Sequence, residues 1–200
     1  YKAKKLFDKK FDSDREIYCC SFSAETVVYK GLVMPSEFDS FYSDLSDTSH
    51  RTASVMFHIR FSTNTSPKWH LAQPYRVIAH NGEINTISGN RNWALARMNN
   101  LSSKRFGNMR KYQPLVNQSG SDSSSLDNMI EVLKEGGVNI GRAARMLIPP
   151  SWQNTDLMDS DEKAFHEYNS MHMEAWDGPA LICFQDKNYL SCFLDRNGLR

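Results

Sequence analysis

No run of apolar residues in this 200-residue sequence approaches the roughly 20 that cross a bilayer. The longest, such as Ala180 to Phe184, have the length of a buried strand. Excess charge of one sign is also missing: 24 Lys and Arg stand against 23 Asp and Glu, a formal charge of +1. No net field therefore draws the chain onto nucleic acid or an anionic membrane. Cysteine is scarce, and Cys19, Cys20, Cys183 and Cys192 form no C-x-x-C pair. That spacing excludes a zinc ribbon or dithiol centre, and their apolar, strand-like surroundings predict reduced, buried thiols in a cytosolic protein. None of the six histidines belongs to an H-E-x-x-H pair, and His166 and His172, six apart, do not share a helix face. A metal site is not expected. The tryptophans at 69, 93, 152 and 176 are scattered without interleaved basic residues, which predicts core or pocket-wall positions and no nucleic-acid stacking surface.

Further absences concern the ends and the layout. The basic start, Tyr1 to Lys5, runs into Leu6-Phe7-Asp8 and not into the apolar core of a secretory signal. There is no initiator Met, and Asn197 to Arg200 reads as a turn entering another strand, so a piece of a longer chain is expected. No repeat or low-complexity linker is visible, and residues 1–200 are read as one domain.

What is present suits a globular α+β fold. Residues 17–22 and 27–33 are β-rich runs separated by Ser23-Ala-Glu-Thr26, which predicts a hairpin. After a polar stretch from Ser36 to Ser49, Ala53–Ile59 and Tyr75–Ala79 read as buried strands, the second ending at His80-Asn81-Gly82. Asn85–Met98 reads as a helix. Leu126, Met129, Ile130 and Leu133 fall at i, i+3, i+4 and i+7, and Ile140, Ala143, Ala144 and Leu147 repeat the spacing. Two amphipathic helices follow, separated by Gly136-Gly137 and ended by Pro149-Pro150. A third helix is expected over Asp161–Met173, then strands over Ala180–Phe184 and Tyr189–Leu194. Strands, then helices, then strands fit a layered α+β sandwich better than a βαβ alternation.

Several local patterns carry chemistry, each beside a plainer reading. Gly120-Ser-Asp-Ser-Ser-Ser125 opens the Leu126 helix but lacks the P-loop spacing and its Lys. Asp122 or Ser124 can serve as an N-cap there, with Asp127 completing a box. His80-Asn81-Gly82 is either a plain Asn-Gly turn or a pair of oxyanion donors, the Asn81 amide and the bare Gly82 N–H. Arg60, just beyond a strand, is either a surface residue or a bidentate grip on a carboxylate, with Thr63 adding a hydroxyl. His58 and His80 flank these segments, where packing is the commoner role.

Longer strings go further. His58-Ile-Arg-Phe-Ser-Thr-Asn-Thr65, Pro67-Lys-Trp69 with Leu71-Ala-Gln-Pro74, and Ala79-His-Asn-Gly-Glu-Ile-Asn-Thr86 closely resemble the glutamine amidotransferase domain of glutamate synthases. The resemblance continues through Gly89–Trp93, Gly120–Asn128, Pro149–Gln153, Met173–Ala180 and Leu194–Arg200, nearly the whole chain. The Pro-Pro-Ser-Trp-Gln-Asn and Asn-Ser-Met-His-Met-Glu segments look most like the large subunit of the bacterial NADPH-dependent enzyme; the ferredoxin-dependent form is also similar.

This resemblance implies an Ntn-hydrolase fold, a four-layer αββα sandwich whose nucleophile is an N-terminal Cys exposed by processing. No Cys-Gly stands at the start here, and the resemblance puts Cys19 and Cys20 on an interior strand, so neither is expected to be that nucleophile. It implies Arg60 and Thr63 for the α-carboxylate of L-glutamine, Asp122 for its α-ammonium, and Asn81 and Gly82 for the oxyanion. It also implies a cytoplasmic enzyme that hydrolyses L-glutamine and passes ammonia on for the reductive amination of 2-oxoglutarate. FMN, an iron–sulfur cluster and NADPH, with FAD in a small partner subunit, are expected in the complete enzyme and not in this segment. Two other readings stand beside it: an amidotransferase serving a different ammonia acceptor, and a nucleophile-free module that only binds glutamine.

Overall fold

Residues 1–11, 17–62 and 66–200 are described by a computed structural model of the chain. Its sheet is antiparallel with strand order β1-β2-β3, formed by Ile78–Gly82 (β1), Ala180–Gln185 (β2) and Leu190–Leu194 (β3). In β2, Ala180, Ile182 and Phe184 are buried while Leu181, Cys183 and Gln185 are not, so alternate side chains face a core on one side only. The register sets Ile78 against Phe184 and His80 against Ile182 on that covered face, and Asn81 against Leu181 on the other.

Helices cover the buried face. Before them come Lys2–Lys10 (α1), a short turn at Phe38–Phe41 (α2) and Ile87–Arg97 (α3). The covering helices are Asp122–Glu135 (α4) and Ile140–Leu147 (α5), with Ser160–Ser170 (α6) packed on α5. Each of these three starts on a side-chain cap. Ser121 Oγ accepts from Ser124 N, Asn139 Oδ1 from Gly141 N, and Asp159 Oδ1 from Glu162 N, satisfying amides that have no partner within the helix. The expected 3.6-residue stripes are the core: Leu126, Met129 and Ile130 of α4 and Ile140, Ala143, Ala144 and Leu147 of α5 are at most 2% exposed. Burial of each large member contributes roughly 1.5–3 kcal/mol. Trp176, between α6 and β2, is buried in the same cluster.

Several expectations need correction. The cap of α4 is Ser121, with Asp122 its first helical residue, which leaves the Asp122 and Asp127 carboxylates for other partners. Segments 17–22, 27–33 and 53–59 are not strands, although their composition is β-rich. One edge of the sheet, that of β1 away from β2, is closed by side chains. There, Gln73 bonds both His80 backbone groups, and the Asp127 carboxylate accepts from Val77 N and Ile78 N at 2.8 and 3.3 Å. Tyr75 N donates to Ile78 O at 2.8 Å. Polar groups that a further strand would need on that edge are already bonded, so favourable propensity finds no ladder there. The same turn at Tyr75 delays β1, which begins at Ile78 and carries His80, Asn81 and Gly82 inside the strand.

Other departures are smaller. Burial of the thiols is incomplete: Cys19, Cys20 and Cys183 are half-buried and Cys192, on the outer strand β3, is exposed, all four being free. Trp93 lies on the exposed face of α3 against Arg97 and not in a core. The third helix ends at Ser170, three residues early. Helix α1 was not expected, because its two buried residues are lysines: Lys4 meets Glu131 of α4 and Lys5 donates to the carbonyls of Pro114 and Leu115.

Candidate functional site

The exit of β1 and the start of α4 meet at one end of the sheet. Gly82 has φ +133°, and a Cβ there would lie 1.8 Å from Pro179 O, so only glycine permits the close approach of the two strand ends. Across that gap Glu83 N donates to Pro179 O at 3.0 Å. One residue further, Ile84 N donates to Asp122 Oδ2 at 2.7 Å, while Asp122 Oδ1 accepts from Ser123 N at 2.7 Å and Ser123 Oγ at 3.2 Å. The Asp122 carboxylate is thereby fixed beside the chain that carries Asn81 and Gly82.

A second tie lies beneath the first. The buried imidazole of His80 exchanges a 2.7 Å hydrogen bond with Ser123 Oγ through Nδ1. Burial lowers the His80 pKa; the Asp122 charge opposes this, and those of His58 and Arg200 add to it. The neutral ring is favoured. Alternation along the strand points Asn81 the opposite way, and its side chain is exposed. From α3, Arg91 grips the approach to α4, donating Nε–H to Ser125 Oγ at 3.0 Å and Nη2–H to Gly120 O at 2.6 Å.

The bonds of His80 to Ser123 and of Ile84 to Asp122 thus tie the chain on either side of Gly82 to the start of α4, while the Asn81 side chain points to the other face of the sheet. Arg60 is not part of that bonding. It lies with an exposed side chain on the segment after residue 53 and donates its backbone N–H to His58 Nδ1 at 3.3 Å. Its link to the site is through His58, whose pKa is lowered by burial, then raised by that hydrogen bond and lowered by the Arg60 charge, and whose own charge bears on His80. Thr63 lies outside the described residues. The expected packing role suits His80, buried under β1.

Sequence reasoning assigned nothing to Gln73, Ser123, Arg91 or Arg200, although all but the last shape the β1–α4 junction. Each is an ordinary polar residue in its local string, and only the three-dimensional bonding distinguishes it. Two cavities lie elsewhere, one of about 280 Å³ lined by residues including Tyr1, Arg76, Glu131 and Gln185, another of about 180 Å³ by residues including Arg145, Trp152, His166 and Arg196. Among the described residues, no group of three or more His, Cys, Asp or Glu side chains could hold a metal ion. No helix there is long and apolar enough to cross a membrane.

The family model described as class-II glutamine amidotransferases matches residues 1–200. The chain is 47% identical to the glutamate synthase [NADPH] large chain of Bacillus subtilis over 92% of its own length and 12% of that relative. It is 44% identical to the glutamate synthase [NADH] of Schizosaccharomyces pombe, over 94% of its length and 9% of that relative. It is likewise 44% identical to the ferredoxin-dependent glutamate synthase 2 of Synechocystis, over 100% of its length and 13% of that relative. The chain thus spans a small part of each of these proteins. With the family model matched from the first residue to the last, this chain belongs to the class-II glutamine amidotransferases.

Proposed function

We propose that these residues form the glutamine-binding and oxyanion half of the glutaminase site in a glutamate synthase. A free glutamine presents a carboxylate, an ammonium and a side-chain amide, so its recognition wants a cation, an anion and neutral donors over the reacting carbonyl. Arg60, Asp122 and the Asn81–Gly82 pair supply those types, and Thr63 adds a hydroxyl toward the carboxylate. The observation that carries the reading is the 2.7 Å bond from Ile84 N to Asp122 Oδ2, which ties an anion to the chain two residues after Gly82.

In the reaction we infer, a Cys outside residues 1–200 attacks the side-chain carbonyl carbon of glutamine as its thiolate. The carbonyl oxygen becomes an oxyanion, to which Asn81 Nδ2–H and Gly82 N–H donate. The α-amine of that Cys takes up the thiol proton and passes it to the leaving nitrogen, so that collapse breaks the C–N bond with release of ammonia and leaves a thioester, which water hydrolyses to glutamate and the free thiol. Cys19, Cys20 and Cys183 do not suit that task, since burial raises the pKa of each.

Ammonia would pass to 2-oxoglutarate in another part of a cytoplasmic enzyme. FMN, an iron–sulfur cluster and NADPH, with FAD in a small subunit, belong in this reading outside the 200 residues. An iron–sulfur cluster needs about four converging thiolates, whereas Cys183 faces Cys192 across β2 and β3 with Cys19 and Cys20 on a separate segment. An NADPH donor is part of this reading, the chain being 47% identical to the NADPH-type chain and 44% to a ferredoxin-dependent form. Among the described residues no helix covers the face of β1 and β2 that carries Asn81 and exposed Leu181, which supports a second sheet packing there in a four-layer sandwich.

Replacing Asn81 tests the reading. In the full-length enzyme Asn81→Ala is expected to lower kcat for glutamine hydrolysis by roughly 10²–10³, the cost of one oxyanion donor. Unchanged hydrolysis would refute the assignment.

A further inference from the structure

We propose that Arg200 is a positioning residue for Asn81: its guanidinium holds the carboxamide oxygen, which aims the Asn81 NH2 at the developing oxyanion. The inference rests on the oxyanion reading above and adds a residue to it.

Three observations support it. The sheet register places the end of β1, the start of β2 and the end of β3 together, with Gly82 opposite Ala180 and Leu181 opposite Leu194. Past β3 the chain folds back over that end. Asp195 N donates to Ala180 O at 2.7 Å, Gly198 turns at φ +65° with its N–H on Asp195 O, and the buried Asp195 carboxylate accepts Leu199 N at 2.7 and 3.1 Å. This turn delivers Arg200, whose Nη1 donates to Asn81 Oδ1 at 2.8 Å. Independently, the charge of Arg200 is among those that lower the pKa of His80, the residue before Asn81.

The chemistry settles which way the amide faces. A guanidinium has donors and no acceptor, so the Asn81 atom against it must be the oxygen, and Nδ2 is left as the free donor. An amide without this contact can turn over and present its oxygen to the substrate, where it would repel an oxyanion. A cation on the carboxamide oxygen also withdraws electron density and strengthens the N–H as a donor.

The test is a double-mutant cycle in the full-length enzyme, read as kcat and KM for glutamine hydrolysis. Arg200→Met is expected to lower kcat roughly tenfold, less than removal of the donor itself, with KM changed less than about twofold. Arg200→Lys, which keeps a cationic donor, should recover part of the loss. In an Asn81→Ala background, Arg200→Met should add nothing, because the group it positions is gone. Multiplicative losses in the double variant, a rise in KM alone, a lysine variant no better than methionine, or an unaffected Arg200→Met would each overturn the proposal. If Asn81→Ala itself costs nothing, the oxyanion reading falls and this inference with it. A cost at Asn81 with none at Arg200 sinks the inference alone. Because Arg200 is exposed, its removal leaves no buried charge, and unchanged thermal melting of the variants separates positioning from folding.

Discussion

Gln73 holds both backbone polar groups of His80, donating Nε2–H to His80 O at 2.7 Å and accepting His80 N–H on Oε1 at 2.6 Å. One side chain thus does for the centre of β1 what a neighbouring strand does elsewhere. Gln73→Ala would leave two buried groups unpaired, at about 1–3 kcal/mol each. Hydrogen exchange of the 73–82 peptide in the full-length protein should accelerate accordingly, and kcat for glutamine should fall as Asn81 loses its support. Unaltered protection would mean that another group closes this edge.

Asp122 and Arg60 are expected to govern binding more than turnover. Asp122→Asn keeps an acceptor for Ile84 N but removes the charge proposed to face the α-ammonium of glutamine. Loss of a charged hydrogen bond worth about 1.5–3 kcal/mol raises KM for glutamine roughly 10–100-fold. Arg60→Ala should act in the same direction. Steady-state kinetics in the full-length enzyme decide it, and a change confined to the KM for 2-oxoglutarate would contradict both assignments.

Legibility followed the source of each element's stability. Helices α4 and α5 could be read because their apolar residues repeat at the helical period, and strands β2 and β3 because they are short apolar runs bounded by turn residues. Val55, Phe57 and Ile59 have a strand-like alternation yet are exposed and lie in no strand, so alternation alone does not make one. Helix α1 was illegible for the opposite reason: burial of Lys4 depends on Glu131, more than a hundred residues away. At the site, Asn81, Gly82 and Asp122 were accessible through their strings, whereas Gln73, Ser123 and Arg200 act through pairings that no local pattern encodes.

Burial of His80 predicts a pH dependence with a definite sign. Its folded pKa lies below the ordinary 6.5, so near that pH the unfolded chain binds a proton that the folded ring refuses. Stability contributed at this position is full at higher pH and is lost as pH falls from about 7, levelling off once the folded ring is also protonated. Protection of the β1 amides, corrected for intrinsic exchange, should therefore decline between about pH 7 and 5. His80→Gln should flatten the decline. A wild-type profile as flat as the variant's would show that the ring does not feel its burial.

The ion cluster under α1 offers the last test. Lys4 Nζ lies 2.5 Å from Glu131 Oε2 and 3.6 Å from Asp8 Oδ2, with Arg76 placed 3.9 Å from both Asp8 and the wholly buried Asp127. Burial opposes ionisation of Glu131, but Lys4 and Arg76 outweigh it and hold the pKa below the usual carboxylate value. Glu131→Leu alone would leave the Lys4 ammonium buried with only the longer Asp8 contact, a loss of about 3–5 kcal/mol. Replacing both partners, Lys4→Met with Glu131→Leu, removes the uncompensated charge along with its desolvation, and should restore most of that loss. Exchange-derived opening energies for the α1 and α4 peptides in the full-length protein measure the cycle. Equal, additive penalties from the two substitutions would show that Lys4 and Glu131 stabilise the helices separately and not as a pair.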